Sequence, residues 1–364
     1  MKRTFKKGFL LLLAAATALA SCKRETGQES ASIPEGEGRL SVSLVTGSET
    51  KATSDNTMLE AECTINDLQL LVFDDDGRLQ RYFAYGESSV ADNGKSSASV
   101  DTSFTVPVGQ KTVCALVNGP DVSDIGYLSD LNAIELSLTE YNDVSHLMHY
   151  ATGTCTVKQG QTANCPLKVK RLVSRIHIAS ITNSLPPYYG EIRVKRTFLT
   201  NVVNWANLAM DKEYDSRSLV YGRCSASDPS TILPASGDVT SALYDYVWYS
   251  GIQVERNNTT TPSELTSCYF YCYPHSCTDF SDHEGSTTIE DQATCLVLVC
   301  EILGRDYYYP VSLGALEANT AYDFYLTINS LGVDDPSTPV ELGSLTVTVS
   351  FGGWVAGTAI IETI

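Results

Sequence analysis

The sequence predicts an all-β chain of Greek-key β-sandwiches with one or two short helices. Three observations carry that prediction. Apolar and polar residues alternate with period two in segment after segment, as in Leu345, Val347, Val349 and Phe351 against Thr346, Thr348 and Ser350. Clusters of Gly, Ser, Thr, Asn and Asp separate these segments. Helical spacing shows only between Leu128 and Leu138, through Leu131 and Ile134. Short strands, turn residues and little helix are the pattern of packed sheets rather than of bundles or α/β layers.

The first element is a processing signal. Lys2, Arg3, Lys6 and Lys7 precede an apolar run, Phe9 to Ala20, that is too short for an ordinary membrane span. Leu19-Ala20-Ser21-Cys22 then matches the lipobox of bacterial lipoproteins, so residues 1–21 are expected to be removed and Cys22 to carry a diacylglycerol. The competing reading is an ordinary secretory leader with an incidental cysteine. Several acyl chains make a durable anchor, whereas one makes a marginal one. Lys23 to Gly38 is polar and reads as a tether.

Arg39 to Val45 is a short amphipathic strand with Leu40, Val42 and Leu44 on one face. A polar loop, Gly47 to Asn56, follows with Lys51 in its middle. Thr64 to Phe73 reads as a buried strand, Asp74-Asp-Asp-Gly77 as a turn, and Leu79 to Tyr85 as the hairpin partner. Phe104 to Gly109 is a strand and turn, Thr112 to Val117 a strand closed by Asn118-Gly-Pro120, and Met148 to Val157 another strand. Alternation begins again at Cys165-Pro166, and a proline before a strand start suits a domain boundary there. Strands are then predicted over 192–201, 243–249, 268–273, 294–303, 307–311 and 322–328. The alternating tail comes last, and it reads either as the last strand of its own sandwich, pairing only within its own domain, or as the filling of a groove in a neighbouring copy. Gly352-Gly353 interrupts it, and Trp354 and Val355 continue it.

Composition narrows the function. The full chain carries a formal charge of −18, and loss of the leader's four basic residues takes it to −22. That opposes nucleic acid as a partner, and it opposes adhesion to anionic lipid through a basic patch. Ten cysteines besides Cys22 are compatible with disulfides outside the cytoplasm. Many of them, such as Cys114, Cys295 and Cys300, stand at apolar strand positions. They read as buried free thiols, with no bridge assigned.

Catalytic and metal patterns are weak. Asn93-Gly-Lys-Ser96 ends like a phosphate loop, but Ser89 stands where a glycine is needed. His146 and His149 are spaced as ligands on a helix can be, without a third ligand. Cys272-Tyr-Pro-His275-Ser-Cys277 suits a turn at a strand end as well as it suits a metal. Asp74 to Asp76 lacks the later bidentate Glu of a calcium loop. No enzyme, cofactor or metal is expected.

Across nearly its whole length the chain resembles the lipoprotein-derived fimbrial (type V) pilins of Bacteroidales. The resemblance is carried, in order, by the lipobox at Cys22 and by Gly38-Arg-Leu-Ser-Val-Ser-Leu-Val ahead of Lys51. It continues through Leu68 to Phe73, Val106-Pro-Val-Gly-Gln-Lys-Thr-Val-Cys-Ala-Leu-Val-Asn and Pro166-Leu-Lys-Val-Lys-Arg-Leu-Val-Ser-Arg. It ends with Leu316-Glu-Ala-Asn-Thr-Ala-Tyr-Asp-Phe-Tyr-Leu-Thr-Ile and the tail with Trp354. The order and spacing of these pieces are specific, not any one of them.

The resemblance implies two transthyretin-like sandwiches at 52–165 and 166–343, a tether and removable first strand at 22–51, and a donor tail at 344–364. It also implies export to the outer-membrane surface and cutting by a trypsin-like protease. Release of the first strand then opens a groove for the C-terminal strand of another subunit. On this chain the cut maps to Lys51, where such pilins usually carry Arg; Arg39 is the alternative, but it precedes the strand. The first strand supplies Leu40, Val42 and Leu44. The donor supplies Leu345, Val347, Val349, Phe351, Trp354 and Val355. Expected partners are other pilin subunits, the outer membrane through the lipid, the protease, and surface ligands of host or bacterium. The competing reading is a lipid-anchored adhesin or glycan-binding tip module that does not polymerise.

Overall fold

The computed structural model describes residues 33–46, 62, 65–86, 101–138, 146–200, 202–203, 205–211, 223–224, 232–233, 247–261, 264–265, 268–276, 293–334, 343–353 and 360–363. The N-terminal part contains β1 (Glu37–Thr46), β2 (Asp67–Phe73), β3 (Leu79–Gly86), β4 (Asp101–Pro107), β5 (Gly109–Val117), α1 (Leu128–Asn132), β6 (Glu135–Ser137), β7 (His149–Val157) and β8 (Thr162–Arg171). Seven of these strands form one sheet in the order β3-β2-β5-β7-β8-β1-β4.

The pairing of β7 with β8 is limited to His149 with Arg171 and Tyr150 with Lys170. There the sheet turns a corner, and β8-β1-β4 folds over β3-β2-β5-β7. The outer edges of the two layers meet, with the rings of Phe83 (β3) and Phe104 (β4) 4.6 Å apart. Between the layers lie Leu40, Val42, Leu44, Leu68, Leu70, Val72, Val113, Ala115, Leu167 and Val169. The other face of β2 and β5, with Leu71, Phe73, Cys114 and Leu116, joins a larger core that extends into the rest of the chain. Burial on both faces is why Leu68 to Phe73 reads as continuously apolar.

The C-terminal part contains β9 (Ser174–Asn183), β10 (Ile192–Thr200), β11 (Trp205–Asn207), β12 (Arg223–Cys224), β13 (Ile232–Leu233), β14 (Val247–Tyr249), β15 (Gln253–Val254), β16 (Tyr269–Cys272), β17 (Cys295–Ile302), β18 (Arg305–Ser312), β19 (Thr320–Ile328), β20 (Leu345–Gly353) and β21 (Ile360–Thr363). One sheet runs β14-β10-β17-β18, with β15 also on β10, and the facing sheet runs β16-β9-β19-β20-β21. The β17–β18 hairpin turns through two residues, Leu303 and Gly304, at φ 53° and 80°. Positive φ at both turn positions is the hairpin geometry that matches strand twist. The chain therefore forms two β-sandwiches with little helix, as predicted.

Two local expectations need correction. The helix expected over 128–138 ends at Asn132, and Glu135–Ser137 instead pairs as β6 with β11. Leu131, Leu136 and Leu138 are all buried, so the apolar spacing is real, but strand pairing across the two halves overrides its helical period. The boundary expected at 165/166 is also displaced. Pro166 lies inside β8 opposite Ser43 of β1, and the chain leaves the first sheet at Leu172-Val173. A proline is tolerated there because that part of β8 has no ladder on its β7 side.

Candidate functional site

The position of β1 is the feature on which function turns. It runs parallel to β8, from Arg39 opposite Thr162 to Thr46 opposite Val169. It runs antiparallel to β4, from Glu37 opposite Pro107 to Ser43 opposite Asp101. β8 and β4 do not pair with each other, so β1 alone joins them. Taking β1 away leaves a slot walled by two strands with unpaired ladder groups, which is a template for another strand.

The slot is shaped for the inward residues of β1. Leu40, Val42 and Leu44 are 0%, 1% and 1% exposed. At ~1.5–3 kcal/mol for each buried side chain, their burial contributes roughly 5–9 kcal/mol gross. Gly38 is the fourth inward position, and a Cβ there would lie 2.4 Å from the carbonyl oxygen of Lys158 and 2.5 Å from Val157 Cγ1. No side chain fits. The entrance is also tied to the β7–β8 loop: the Arg39 amide donates to Gln161 O at 2.8 Å, and the Gly160 amide donates to Glu37 O at 3.1 Å.

The predicted site residues divide as follows. Leu40, Val42 and Leu44 share the buried face of β1, and Arg39 is half-buried within the strand. Cys22, Lys51, Trp354 and Val355 lie outside the described residues. Leu345, Val347, Val349 and Phe351 fall in β20, which pairs antiparallel with β19 from Leu345 opposite Ile328 to Gly353 opposite Thr320. On its other edge β20 pairs with β21. Val347 and Val349 are buried, and Leu345 packs half-buried against the core. The tail strand is thus docked in its own sheet, one strand in from the edge, and it is not brought near β1 of the same chain.

Sequence reasoning missed a buried polar cluster at the junction of the two halves. Glu62, which follows the loop that holds Lys51, accepts from Arg175 Nη1 at 3.2 and 3.3 Å and from the Tyr271 hydroxyl at 2.8 Å. Arg171 Nη2 donates to the Glu62 carbonyl at 3.0 Å. His177 Nδ1 lies 2.9 Å from Asp323 Oδ1, and the His177 ring stacks on Tyr269 at 4.2 Å. Arg175 and Asp323 are almost fully buried. The strands β9, β16 and β19 supply the pocket, and Glu62 enters it from the N-terminal part. The only sequence signal was two arginines, 171 and 175, in an apolar strand run. Nothing in spacing linked them to position 62.

The weaker motifs resolve structurally. Asp74 Oδ1 accepts from the amides of Asp76 and Arg78, which makes the acidic triplet a side-chain-capped turn. It is the one cluster of potential metal ligands among the described residues. His149 is buried in β7, where burial and the nearby Arg171 hold its pKa down at about 3, while His146 is exposed. His275 Nδ1 lies 2.8 Å from Thr294 Oγ1, and Cys277 and Asn93 to Ser96 fall outside the described residues. Among the described cysteines, Cys114, Cys155, Cys165, Cys268, Cys272, Cys295 and Cys300 are thiols outside any disulfide, and Cys295 Sγ donates to Ala293 O at 3.4 Å.

Comparison with known proteins fits this architecture. Residues 38–212 match the family Major fimbrial subunit protein (FimA). The chain is 21% identical to the Major fimbrium subunit FimA type-2 of Porphyromonas gingivalis, over 96% of this chain and 97% of that one. Its fold is similar to a crystal structure of a fimbrilin from Porphyromonas gingivalis W83, with a TM-score of 0.60 over 88% of this chain and 99% of that one, at 14% identity. It is similar also to a protein of Bacteroides eggerthii DSM 20697 provisionally ascribed to cell adhesion, with a TM-score of 0.59 over 89% and 98% of the two chains, at 15% identity.

Proposed function

We propose that this chain, similar to the major fimbrial subunit proteins, is a structural subunit of a cell-surface fimbria whose subunits are joined by strand exchange. The subunit reaches the outer membrane anchored through lipid on Cys22. A trypsin-like protease cuts at Lys51, β1 leaves, and the tail of another subunit fills the slot between β8 and β4. No catalytic step by this chain is involved.

One observation carries the reading. β1 is an interior strand, yet its only covalent link to the sandwich is the segment that contains Lys51, because the tether lies on its other side. A single cut there frees the strand. A cut at Arg39 would leave Leu40, Val42 and Leu44 in place, so Lys51 is the productive site. Once β1 is gone, three apolar seats and two strand edges are open, and a strand of alternating apolar residues covers all of them together. Dissociation must then break the ladder bonds and expose the seats at once, so the joint is long-lived.

The test is brief trypsin treatment of the purified precursor, followed by gel electrophoresis with and without boiling. The expected result is a ladder that collapses on boiling and does not form when residues after Gly343 are deleted. If intact and tail-deleted chains both stay monomeric after the cut at Lys51, strand exchange is wrong and a non-polymerising surface adhesin takes its place.

A further inference from the structure

We infer that the incoming tail seats in one register and one direction, with Gly343 in the place of Gly38 and Leu345, Val347 and Val349 in the places of Leu40, Val42 and Leu44. It runs parallel to β8 and antiparallel to β4, as β1 does. This rests on the strand-exchange reading and names which residues of the occupant meet which seats.

The two segments carry the same pattern. Gly38-Arg-Leu-Ser-Val-Ser-Leu44 and Gly343-Ser-Leu-Thr-Val-Thr-Val349 each begin with glycine. Each then places Leu, Val and a third aliphatic residue at alternate positions with hydroxyl residues between the aliphatics. The first seat constrains the register. At the first inward position the Lys158 carbonyl, Val157 Cγ1 and the Gln161 carbonyl would stand 2.4, 2.5 and 3.2 Å from any Cβ. Two of these are backbone atoms, which cannot turn aside as a side chain can. In the subunit of origin a Cβ on Gly343 would meet nothing within 4 Å, but its φ of 86° already favours glycine there, so the register rests on the closed seat at Gly38 together with the three aliphatic positions that follow.

Other registers fail on the same seats. Sliding the tail by one residue turns Thr346 and Thr348 inward. Sliding it by two in one sense drives Leu345 into the Lys158 carbonyl. The opposite slide places Glu341 there and leaves Gly343 in the seat of Leu40. Starting from Gly353 fills the three seats with Val355, Gly357 and Ala359, and starting from Gly357 fills them with Ala359, Ile361 and Thr363, both too little volume. Starting from Gly352 puts Trp354 in the seat of Leu40.

A reversed tail offers one comparable match, with Gly353 at Gly38 followed by Phe351, Val349 and Val347. That arrangement forces a phenyl ring into the seat of Leu40, which is 0% exposed and closely packed. It also makes the tail antiparallel to β8 and parallel to β4, discarding the ladder geometry that both walls already hold.

The register is read by cross-linking between subunits. Ser41 of β1 stands opposite Ser103 of β4. In the forward register Thr346 takes the position of Ser41; in the reversed one Ser350 does. A Ser103→Cys precursor is mixed with a Thr346→Cys or a Ser350→Cys precursor, cut with trypsin, and run non-reduced after boiling. Each single variant alone serves as the control for the native thiols. The expected result is a boiling-resistant, reductant-sensitive dimer with Thr346→Cys and none with Ser350→Cys. The converse result, or a ladder that neither pair traps, overturns the register while strand exchange stands. Absence of any ladder from the wild-type chain overturns both. A second variant, Gly343→Asn, chosen because asparagine tolerates the φ of 86° that this position has in the subunit of origin, is expected to lower ladder yield roughly tenfold or more while leaving the denaturation midpoint of the uncut precursor nearly unchanged. Unchanged yield overturns the glycine argument.

Discussion

Replacing Glu62 by alanine removes the carboxylate that meets Arg175 at 3.2 Å and Tyr271 at 2.8 Å. Arg175 is 1% exposed, so its guanidinium is left charged and out of reach of water. Breaking a buried pair from one side costs about 3–5 kcal/mol. Asp323 Oδ1 remains 4.0 Å from Arg175 Nη2 and offsets part of that, which favours the low end. The Tyr271 hydroxyl loses its acceptor, for about 1 kcal/mol more. The expected loss is therefore about 4 kcal/mol. For a domain of roughly 150–250 residues each kcal/mol lowers the midpoint by about 2–4 °C, so thermal unfolding should move down by roughly 8–16 °C. The assay is urea and thermal denaturation of the precursor followed by circular dichroism. Glu62→Leu combined with Arg175→Met should recover most of the loss, since an apolar pair of similar volume leaves no unpaired charge. Stability of Glu62→Ala within about 0.5 kcal/mol of wild type, a surface-like value, would refute the buried-clasp argument. A double variant no better than the single one would do the same.

Three further outcomes are expected. Gly38→Ala should lower the denaturation midpoint of the precursor by about 1–3 kcal/mol in stability, because β1 must shift away from the Lys158 carbonyl; no change would mean that the slot has slack. Burial lowers the pKa of His149 to about 3 and that of His275 to about 4, whereas an unfolded histidine titrates near 6.5. Between about pH 6.5 and 4 the unfolded chain binds more protons, so stability should fall as pH drops through that window. Denaturation at pH 7 and pH 5 checks this, with a smaller difference expected for His149→Asn. Alkylation of the native protein at pH 8 should modify Cys155 before Cys114, Cys268, Cys272 and Cys300. Burial pushes the Cys272 thiol up to about 12 and raises the other three, while Cys155 is partly exposed. Equal rates, followed by peptide mapping, would contradict that.

The two amphipathic strands are legible in the amino-acid order because period-two alternation is a local property. Leu40, Val42 and Leu44 announce a buried face whatever covers it. The Leu303-Gly304 hairpin went unmarked as such, since a leucine at positive φ carries no turn signal. The helix expected over 128–138 failed in its second half because spacing over a few residues does not distinguish a helix from a strand recruited by a distant partner, here Trp205–Asn207. Pro166 misled for a related reason: a proline reads as a boundary unless one knows that its strand lacks a ladder on one side.

Local chemistry along the chain was thus sufficient for the all-β class, for most strands and for the matching alternation of 39–45 and 345–351. Only the tertiary structure decided where those strands sit. It put β1 between β8 and β4 as the sole link, docked the tail on β19, and drew Glu62 to Arg175 and Tyr271. The physical reason is that alternation reports which face of a strand is buried, while neighbours are chosen by contacts between residues far apart in sequence, and those leave no periodic trace in the chain itself.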